Sequence, residues 1–254
     1  MKKIISWKLF FILLFASVVV SFMVMPYSLA LSQTQIELTP VILLASAIQT
    51  IIVFSFCIFF GLLLSERIGM GLPVLQAALE DKRQFRNLVS FFLPAVWWGV
   101  LSGILVILLS LPFRSLSVEM LELEIYVAPW KGLLASFYGG IAEEIVFRLF
   151  LVSLLVWITT KIIKNRNGFP TNLGVWVSIV LAAILFGLGH LPITGEITTI
   201  TAVVVIRAIL LNSVCAIIFG WLYWKRGLES AMIAHFSADI VLHVITPLIA
   251  SLFL

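Results

Sequence analysis

Seven long apolar runs constrain this chain more than any other feature of its sequence. A bilayer core of about 30 Å is crossed by roughly 20 apolar residues in a helix, and each run is close to that length. The runs cover approximately residues 7–31, 41–64, 88–112, 132–158, 174–190, 198–223 and 228–252. The sequence therefore predicts an all-α, polytopic transmembrane helix bundle of about seven spans, with residues 1–254 forming a single integral membrane domain.

The composition excludes a water-soluble fold. Of the 254 residues, 62% are apolar and only 11% are charged, which is too few charges to form a polar shell. Lys2 and Lys3 precede the first run as in a signal peptide. That run is too long for a typical signal core, so we expect it to be retained as a helix.

The distribution of basic residues predicts the orientation, because Lys and Arg concentrate in cytoplasmic loops. Twelve of them fall on one side of the predicted spans: Lys2, Lys3, Lys8, Arg67, Lys82, Arg83, Arg86, Lys161, Lys164, Arg166, Lys225 and Arg226. The opposite loops contain only Arg114 and Lys131. We therefore expect a multi-pass plasma-membrane protein with a cytoplasmic N-terminus. Topology accounts for the net charge of +4, so no nucleic-acid partner is implied.

Residues 66–87 are predicted to form a cytoplasmic interfacial segment that lies against anionic headgroups. Gly71-Leu72-Pro73 within this segment indicates a turn before a short helix.

Ionisable residues within the membrane are costly, and in this chain they are concentrated in the last four spans. They are Glu143, Glu144, Arg148, His190, Arg207, His235, Asp239 and His243. Such residues usually pair with one another and usually serve a function. We expect the last four spans to form a catalytic core, approximately residues 131–243.

The fourth span contains two adjacent glutamates and an arginine. Glu144 and Arg148 are four residues apart on one helical face and can form an ion pair. Glu143 points about 100° away and has no obvious partner in its own segment, which makes it the general-base candidate. The alternative is that both glutamates are structural and bridge helices through Arg148 or Arg207.

Four further candidates lie in the fifth and seventh spans. His190 follows a glycine-rich helix end, where a single histidine is more often an interfacial side chain than a catalytic one. His235, Asp239 and His243 are spaced by four residues, so they face one interior space. A His–Asp pair of this kind can also be a clamp between helices.

Three motifs resemble those of the CPBP family, the CAAX protease and bacteriocin-processing group that includes the type II CAAX prenyl endopeptidases. They are Glu-Glu-x-x-x-Arg at 143, 144 and 148, Phe-x-x-x-His at 186 and 190, and His-x-x-x-Asp at 235 and 239. The motifs occur in successive spans in the family's order, and the resemblance covers about residues 131–243.

The resemblance implies a glutamic endopeptidase with no obligatory metal cofactor. Glu143 and His190 would activate a water molecule, and His235 and Asp239 would occupy the oxyanion-stabilising positions. Glu144 and Arg148 would orient the site. The implied substrate is a membrane-associated or lipidated peptide or protein, cleaved near its C-terminus or close to the membrane. The oligomeric state is not indicated.

Asp239 departs from the family pattern, in which many members have asparagine. Asparagine can donate a hydrogen bond to an oxyanion, whereas an ionised aspartate repels it. Asp239 must therefore stay protonated or serve differently, for example by accepting a hydrogen bond from His235 and keeping that ring charged.

The predicted depth of His190 conflicts with that of Glu143. Glu143 is about 18 Å along the helix from Lys131, whereas His190 falls at the outer end of its span. Either the fifth helix starts later and continues beyond Pro192, or residues 191–197 dip back into the protein as shielded irregular backbone.

Three other functions remain compatible with the sequence. A zinc protease would use His190, His235, His243 and a glutamate as ligands, although no His-Glu-x-x-His motif is present. A proton-coupled transporter would use the buried acids and histidines as a relay, although no inverted repeat is apparent between the halves. A catalytically silent scaffold or immunity protein would retain the motifs without their chemistry.

Overall fold

A computed structural model describes residues 5–32, 38–80, 88–116 and 127–252, and these form a bundle of helices. The all-α transmembrane architecture predicted from the sequence is confirmed. Within the described residues, six helices are long and apolar enough to cross a membrane. We name them by their order in the bundle: the first helix (Trp7–Leu31), second (Pro40–Ile68), third (Leu88–Phe113), fifth (Asn172–Gly195), sixth (Ala202–Arg226) and seventh (Leu228–Ala250).

The fourth helix, residues 129–162, corresponds to the predicted span 132–158 but is not among the six apolar ones. Glu143, Glu144 and Arg148 lie in its middle. Its backbone is continuously helical through Pro129–Tyr138, Gly139–Glu143, Ile145–Val152 and Ser153–Ile162. The two central parts have π-helical hydrogen bonding, a wider helix that occurs frequently at functional sites.

The end of the fifth helix differs from the sequence prediction, which placed it at residue 190. After Gly189 the chain continues through the short helical turn Leu191–Gly195. Pro192 is tolerated there because it lies in the first turn, where a backbone N–H has no helical acceptor. The continuation beyond Pro192 that the first explanation requires is therefore present. Its later start is wrong, because the helix begins at Asn172 and not after residue 174.

The sixth helix begins four residues later than predicted, at Ala202 instead of residue 198. Thr201 caps this helix, and its hydroxyl accepts a hydrogen bond from the backbone N–H of Val204 at 3.3 Å. Such a cap satisfies one of the free N–H groups at a helix start, which fixes the boundary.

The seventh helix packs closely against the third and fourth helices at glycines. A Cβ added at Gly99 in the third helix would collide with the carbonyl oxygen of Ala234, and one at Gly103 would lie 3.1 Å from that of Ala238. Gly140 in the fourth helix faces the carbonyl oxygen of Met232 in the same manner. In lipid, helices associate through close van der Waals packing of this kind.

The outer face of the bundle is apolar. Large side chains such as Phe15, Val41 and Ile162 are 74%, 75% and 78% exposed. Leu9, Ile58, Leu149 and other buried side chains form the main internal cluster. A surface of this kind requires lipid as its solvent.

The turn predicted at Gly71-Leu72-Pro73 is followed by a short helix, Pro73–Leu79. Glu229 at the start of the seventh helix accepts a hydrogen bond from the backbone N–H of Leu75 at 2.8 Å. The short helix is thereby fixed to the turn between the sixth and seventh helices. Residues 81–87, together with Lys2 and Lys3, lie outside the described residues, and the interfacial location of 66–87 stays a prediction.

We expect Gly99→Ala to destabilise the bundle, because the added methyl group meets the backbone of the seventh helix. Overpacking of this kind typically costs about 1–3 kcal/mol. Thermal unfolding of the purified protein in detergent should show a lower midpoint than for the wild type. The matched control is Gly195→Ala, whose added Cβ would have its nearest neighbour at 3.6 Å. Equal midpoints for the two variants would contradict the proposed packing.

Candidate active site

The fourth and seventh helices bring the predicted acidic residues and His235 together at Gly139. A Cβ at this position would collide with Asp239 Oδ2 and lie 3.0 Å from His235 Nε2. Only a glycine therefore allows the two catalytic candidates to approach the fourth helix this closely. The site lies where the helix backbone is π-helical.

Glu144 and Arg148 form the ion pair that their spacing predicts. Arg148 NH1 lies 2.9 Å from Glu144 Oε1, and both side chains are almost completely buried. The guanidinium group also packs against the rings of Phe186 and Phe219, with its carbon 4.9 and 5.4 Å from their centroids. Aromatic faces stabilise a cation that has lost its water.

Glu144 has a second partner that the sequence analysis did not anticipate, namely His235. The Nδ1 atom of His235 donates to Glu144 Oε1 at 2.7 Å, and the imidazole stacks on Phe219 with centroids 4.7 Å apart. The two residues are 91 positions apart, so helical periodicity carries no signal for this contact. Glu144 and Phe219 together fix the orientation of the His235 ring.

The other nitrogen of His235 faces two carboxylates. Its Nε2 atom lies 3.7 Å from Glu143 Oε2 and 3.6 Å from Asp239 Oδ1. Both distances are too long for hydrogen bonds. Glu144, and not Asp239, therefore provides the hydrogen bond that orients His235. A reacting group at this point would be within reach of all three side chains.

His190 is oriented by its own helix. Its Nδ1 atom lies 2.8 Å from the carbonyl oxygen of Phe186, which can only accept, so Nδ1 is the donor. In a neutral ring this leaves Nε2 as an acceptor, which is the state needed to bind the proton of a water molecule. The Phe186 ring contacts both histidines, with centroids 4.6 Å from His190 and 5.8 Å from His235.

A cavity of about 710 Å³ joins four of the six predicted site residues. Glu143, His190, His235 and Asp239 line it, whereas Glu144 and Arg148 lie behind its wall. The side chain of Glu143 is 22% exposed and that of Glu144 is 0% exposed. Of the two adjacent glutamates, Glu143 is therefore the one that can meet water or a substrate.

The two remaining intramembrane candidates, Arg207 and His243, also line the cavity. His243 Nδ1 lies 3.0 Å from the hydroxyl of Tyr27 in the first helix. Among the described residues, no group of three or more His, Cys, Asp or Glu side chains is arranged to hold a metal ion. His243 thus points to Tyr27, and the ligand set that the zinc alternative requires is not assembled there.

The helix bundle thus encloses a polar site within its membrane-spanning part. Residues 125–241 match the family model described as type II CAAX prenyl endopeptidase, Rce1-like. The matched segment is a little under half of the chain, and it supports the resemblance to the CPBP group of CAAX proteases. No curated protein and no solved structure matches the chain.

We expect Glu144→Gln to be strongly destabilising, because it removes the carboxylate that pairs with the buried Arg148. Breaking a buried ion pair in this manner typically costs about 3–5 kcal/mol. The double variant Glu144→Gln/Arg148→Met should recover much of the loss, since it removes the unpaired charge as well. Thermal unfolding in detergent measures both effects.

Glu66→Gln, at the exposed end of the second helix, is the control and should unfold at the wild-type temperature. If the double variant were less stable than Glu144→Gln, charge burial would not be the cause of the loss.

Proposed function

We propose that this protein is an intramembrane glutamic endopeptidase in which Glu143 and His190 activate a water molecule. The observation that carries the proposal is the shared cavity. Glu143, His190, His235 and Asp239 reach it from three different helices, while the ion pair that supports them lies outside it.

Glu143 acts as the general base in this proposal. It takes a proton from water as the water oxygen attacks the carbonyl carbon of the scissile peptide bond. It then delivers that proton to the nitrogen of the departing amine. The C–N bond breaks, and the products are a carboxylic acid and a neutral amine. The acceptor nitrogen of His190 holds the second hydrogen of the water and directs its oxygen at the carbonyl.

His235 and Asp239 stabilise the oxygen of the tetrahedral intermediate. The Nδ1–H of His235 is occupied by Glu144, so Nε2 is the atom that faces the oxyanion. It donates to the oxyanion in this proposal because the ring carries a proton on both nitrogens, and the neighbouring carboxylate of Glu144 stabilises that charged ring. A donor held in a dry site before the reaction stabilises the developing charge without reorganisation. Asp239 contributes as a protonated acid, since an ionised carboxylate at this position would repel the oxyanion.

Glu144 and Arg148 are positioning residues. Arg148 neutralises Glu144, and Glu144 fixes the tautomer and direction of His235. Substituting either residue would change the orientation of His235. It would not remove a contact with the substrate, because neither side chain lines the cavity. This division of roles matches the one that the sequence motifs imply.

The substrate class in this proposal is a membrane-associated or lipidated peptide or protein. The cavity wall is largely apolar and includes Leu31, Val106 and Leu242. Such a wall suits an apolar or lipid-bearing chain better than a soluble peptide. The name of the matched family refers to prenylated substrates that end in a CAAX sequence, which agrees with this class.

We further propose a plasma-membrane location with the N-terminus in the cytoplasm. Three basic residues support this orientation. Lys161 and Lys164 lie at the C-terminal end of the fourth helix, and Lys225 lies at the C-terminal end of the sixth. Because successive spans alternate in direction, these two ends are on the same side of the membrane, where basic residues indicate the cytoplasm. In this orientation the short helix Pro73–Leu79 faces the cytoplasm.

Glu143→Gln should lower kcat by about 10²-fold or more, because the amide cannot accept the proton of water. A quenched fluorescent lipidated peptide, incubated with purified protein in detergent, provides the measurement. Cleavage should resist a metal chelator. Glu66→Gln is the matched control and should retain wild-type activity.

Two results would count against the glutamic mechanism. One is undiminished cleavage by Glu143→Gln. The other is chelator-sensitive cleavage that added zinc restores, which would favour the metal-dependent alternative.

Asp239→Asn should keep activity within about tenfold of the wild type. Asparagine has nearly the same shape and can donate a hydrogen bond to the oxyanion. Because Glu144 already orients His235, losing the carboxylate of Asp239 leaves that ring in place. The same cleavage assay measures the effect. A loss as large as that of Glu143→Gln would instead mean that the negative charge of Asp239 is required.

A further inference from the structure

The contact between Tyr27 and His243 lies on the cavity wall, and the proposed mechanism does not use it. His243 Nδ1 is 3.0 Å from the Tyr27 hydroxyl, and the two rings pack edge to face with centroids 5.4 Å apart. Both residues line the same cavity as the proposed catalytic residues. Both also lie outside residues 125–241, the segment that matches the family model.

The backbone holds His243 close to the fourth helix. A Cβ added at Gly132, near the start of that helix, would collide with the carbonyl oxygen of His243. Tyr27 belongs to Met25–Leu31, the second part of the first helix, which restarts after Val24. The contact therefore joins the first helix to the seventh helix beside the cavity.

The chemistry of the two groups determines which atom donates in this contact. A phenol O–H is more acidic than the N–H of a neutral imidazole, and an imidazole nitrogen accepts more readily than a phenol oxygen. The Tyr27 hydroxyl therefore donates to Nδ1 of His243, and the proton of the neutral ring lies on Nε2. Because Tyr27 engages Nδ1, Nε2 is the nitrogen that His243 presents to the cavity as an N–H donor.

His243 continues a series of side chains along the seventh helix. It follows Asp239 by four residues, as Asp239 follows His235, and all three line the cavity. Four residues of a helix advance about 6 Å along its axis. The donor of His243 is therefore one helical turn beyond the pair that faces the oxyanion in the proposed mechanism.

This spacing matches the repeat of an extended peptide. Two residues of an extended chain advance about 6.6–7 Å, and every second carbonyl group points to the same side. A substrate that runs along the seventh helix presents its scissile carbonyl to His235 and Asp239. Its carbonyl two residues away then points to the same wall, at the level of His243.

We propose that His243 binds the substrate backbone, donating from Nε2 to the carbonyl oxygen two residues from the scissile carbonyl. Tyr27 is its positioning residue. This inference rests on the proposed proteolytic function and deepens it. A contact with a backbone carbonyl is independent of side-chain identity, so it selects an extended segment and not a particular sequence.

The ester carbonyl of a lipid offers the same kind of acceptor as a peptide carbonyl. We favour the peptide because His243 and the catalytic residues line one cavity, within reach of a single bound chain. The experiment distinguishes the two acceptors.

Binding is measured without cleavage by using Glu143→Gln protein in nanodiscs of zwitterionic lipid. The probes are a fluorescent lipidated peptide and a series of its esters, each with one backbone N–H replaced by oxygen. An ester carbonyl is a weaker acceptor than an amide carbonyl, so each probe weakens one hydrogen bond at a known position. We expect His243 to make one ester bind about 3- to 10-fold more weakly than the parent peptide, as for a hydrogen bond between neutral groups.

Four added substitutions test whether His243 is the donor. His243→Phe keeps a ring without a donor, so it should abolish the loss at that one position and leave the other positions unchanged. His243→Gln should restore part of the loss, because its amide can donate. Tyr27→Phe should reduce the loss, since Nδ1 is no longer held. Ser28→Ala removes the next hydroxyl of the same helix and is the control that should change nothing.

Two binding results would overturn the proposal. One is that no ester shows a loss that depends on residue 243, which would make the contact with Tyr27 a structural link alone. The other is a His243→Phe effect that is equal for all probes and changes with the lipid composition, which would identify a lipid carbonyl as the acceptor.

Cleavage of the parent peptide by otherwise wild-type protein, mapped by mass spectrometry, tests the two proposals separately. The sensitive carbonyl should lie two residues from the scissile carbonyl, and any other spacing would overturn the inference. A sensitive ester without cleavage would support backbone binding by His243 and contradict the proposed function. Cleavage without a sensitive ester would support the proposed function and overturn the inference. Failure of the parent peptide to bind at all would contradict both.

Discussion

The buried pair of Glu144 and Arg148 is the interaction on which the rest of the site depends. Two charges without water are tolerated only when each has partners, and here Phe186 and Phe219 enclose the guanidinium group while His235 donates to the carboxylate. The pair thus links four helices. Through its hydrogen bond with Glu144, the pair also orients the His235 ring toward the cavity.

The two adjacent glutamates of the fourth helix have different environments. Glu144 is fully buried and committed to its ion pair, whereas Glu143 is partly exposed on the cavity wall. Gly139, just before them, lets the seventh helix bring His235 and Asp239 alongside. A membrane helix can support this arrangement because its backbone hydrogen bonds are satisfied within the helix. Adjacent side chains can then have different environments, with one buried and the next facing the cavity.

Much of the site could be predicted from sequence because intramembrane charge is rare. The cost of burying Glu143, Glu144 and Arg148 in an apolar run identifies them without any structure, and their spacing predicts the ion pair. The contact of Glu144 with His235 could not be predicted, since it joins residues 91 positions apart. The predicted end of the fifth helix, at residue 190, was also wrong. Pro192 indicates a break locally, but its position in a first turn makes it compatible with a continued helix.

The sequence by itself determined that the chain is a bundle of membrane helices and that its intramembrane ionisable residues belong to the last four spans. Hydropathy and charge cost are properties of each segment, so they can be derived without knowing which helices touch. Only the tertiary structure decided which glutamate faces the cavity, which residue orients His235 and which helix meets His243. These depend on helix rotation and depth, which are set by close packing at positions such as Gly139 and Gly132.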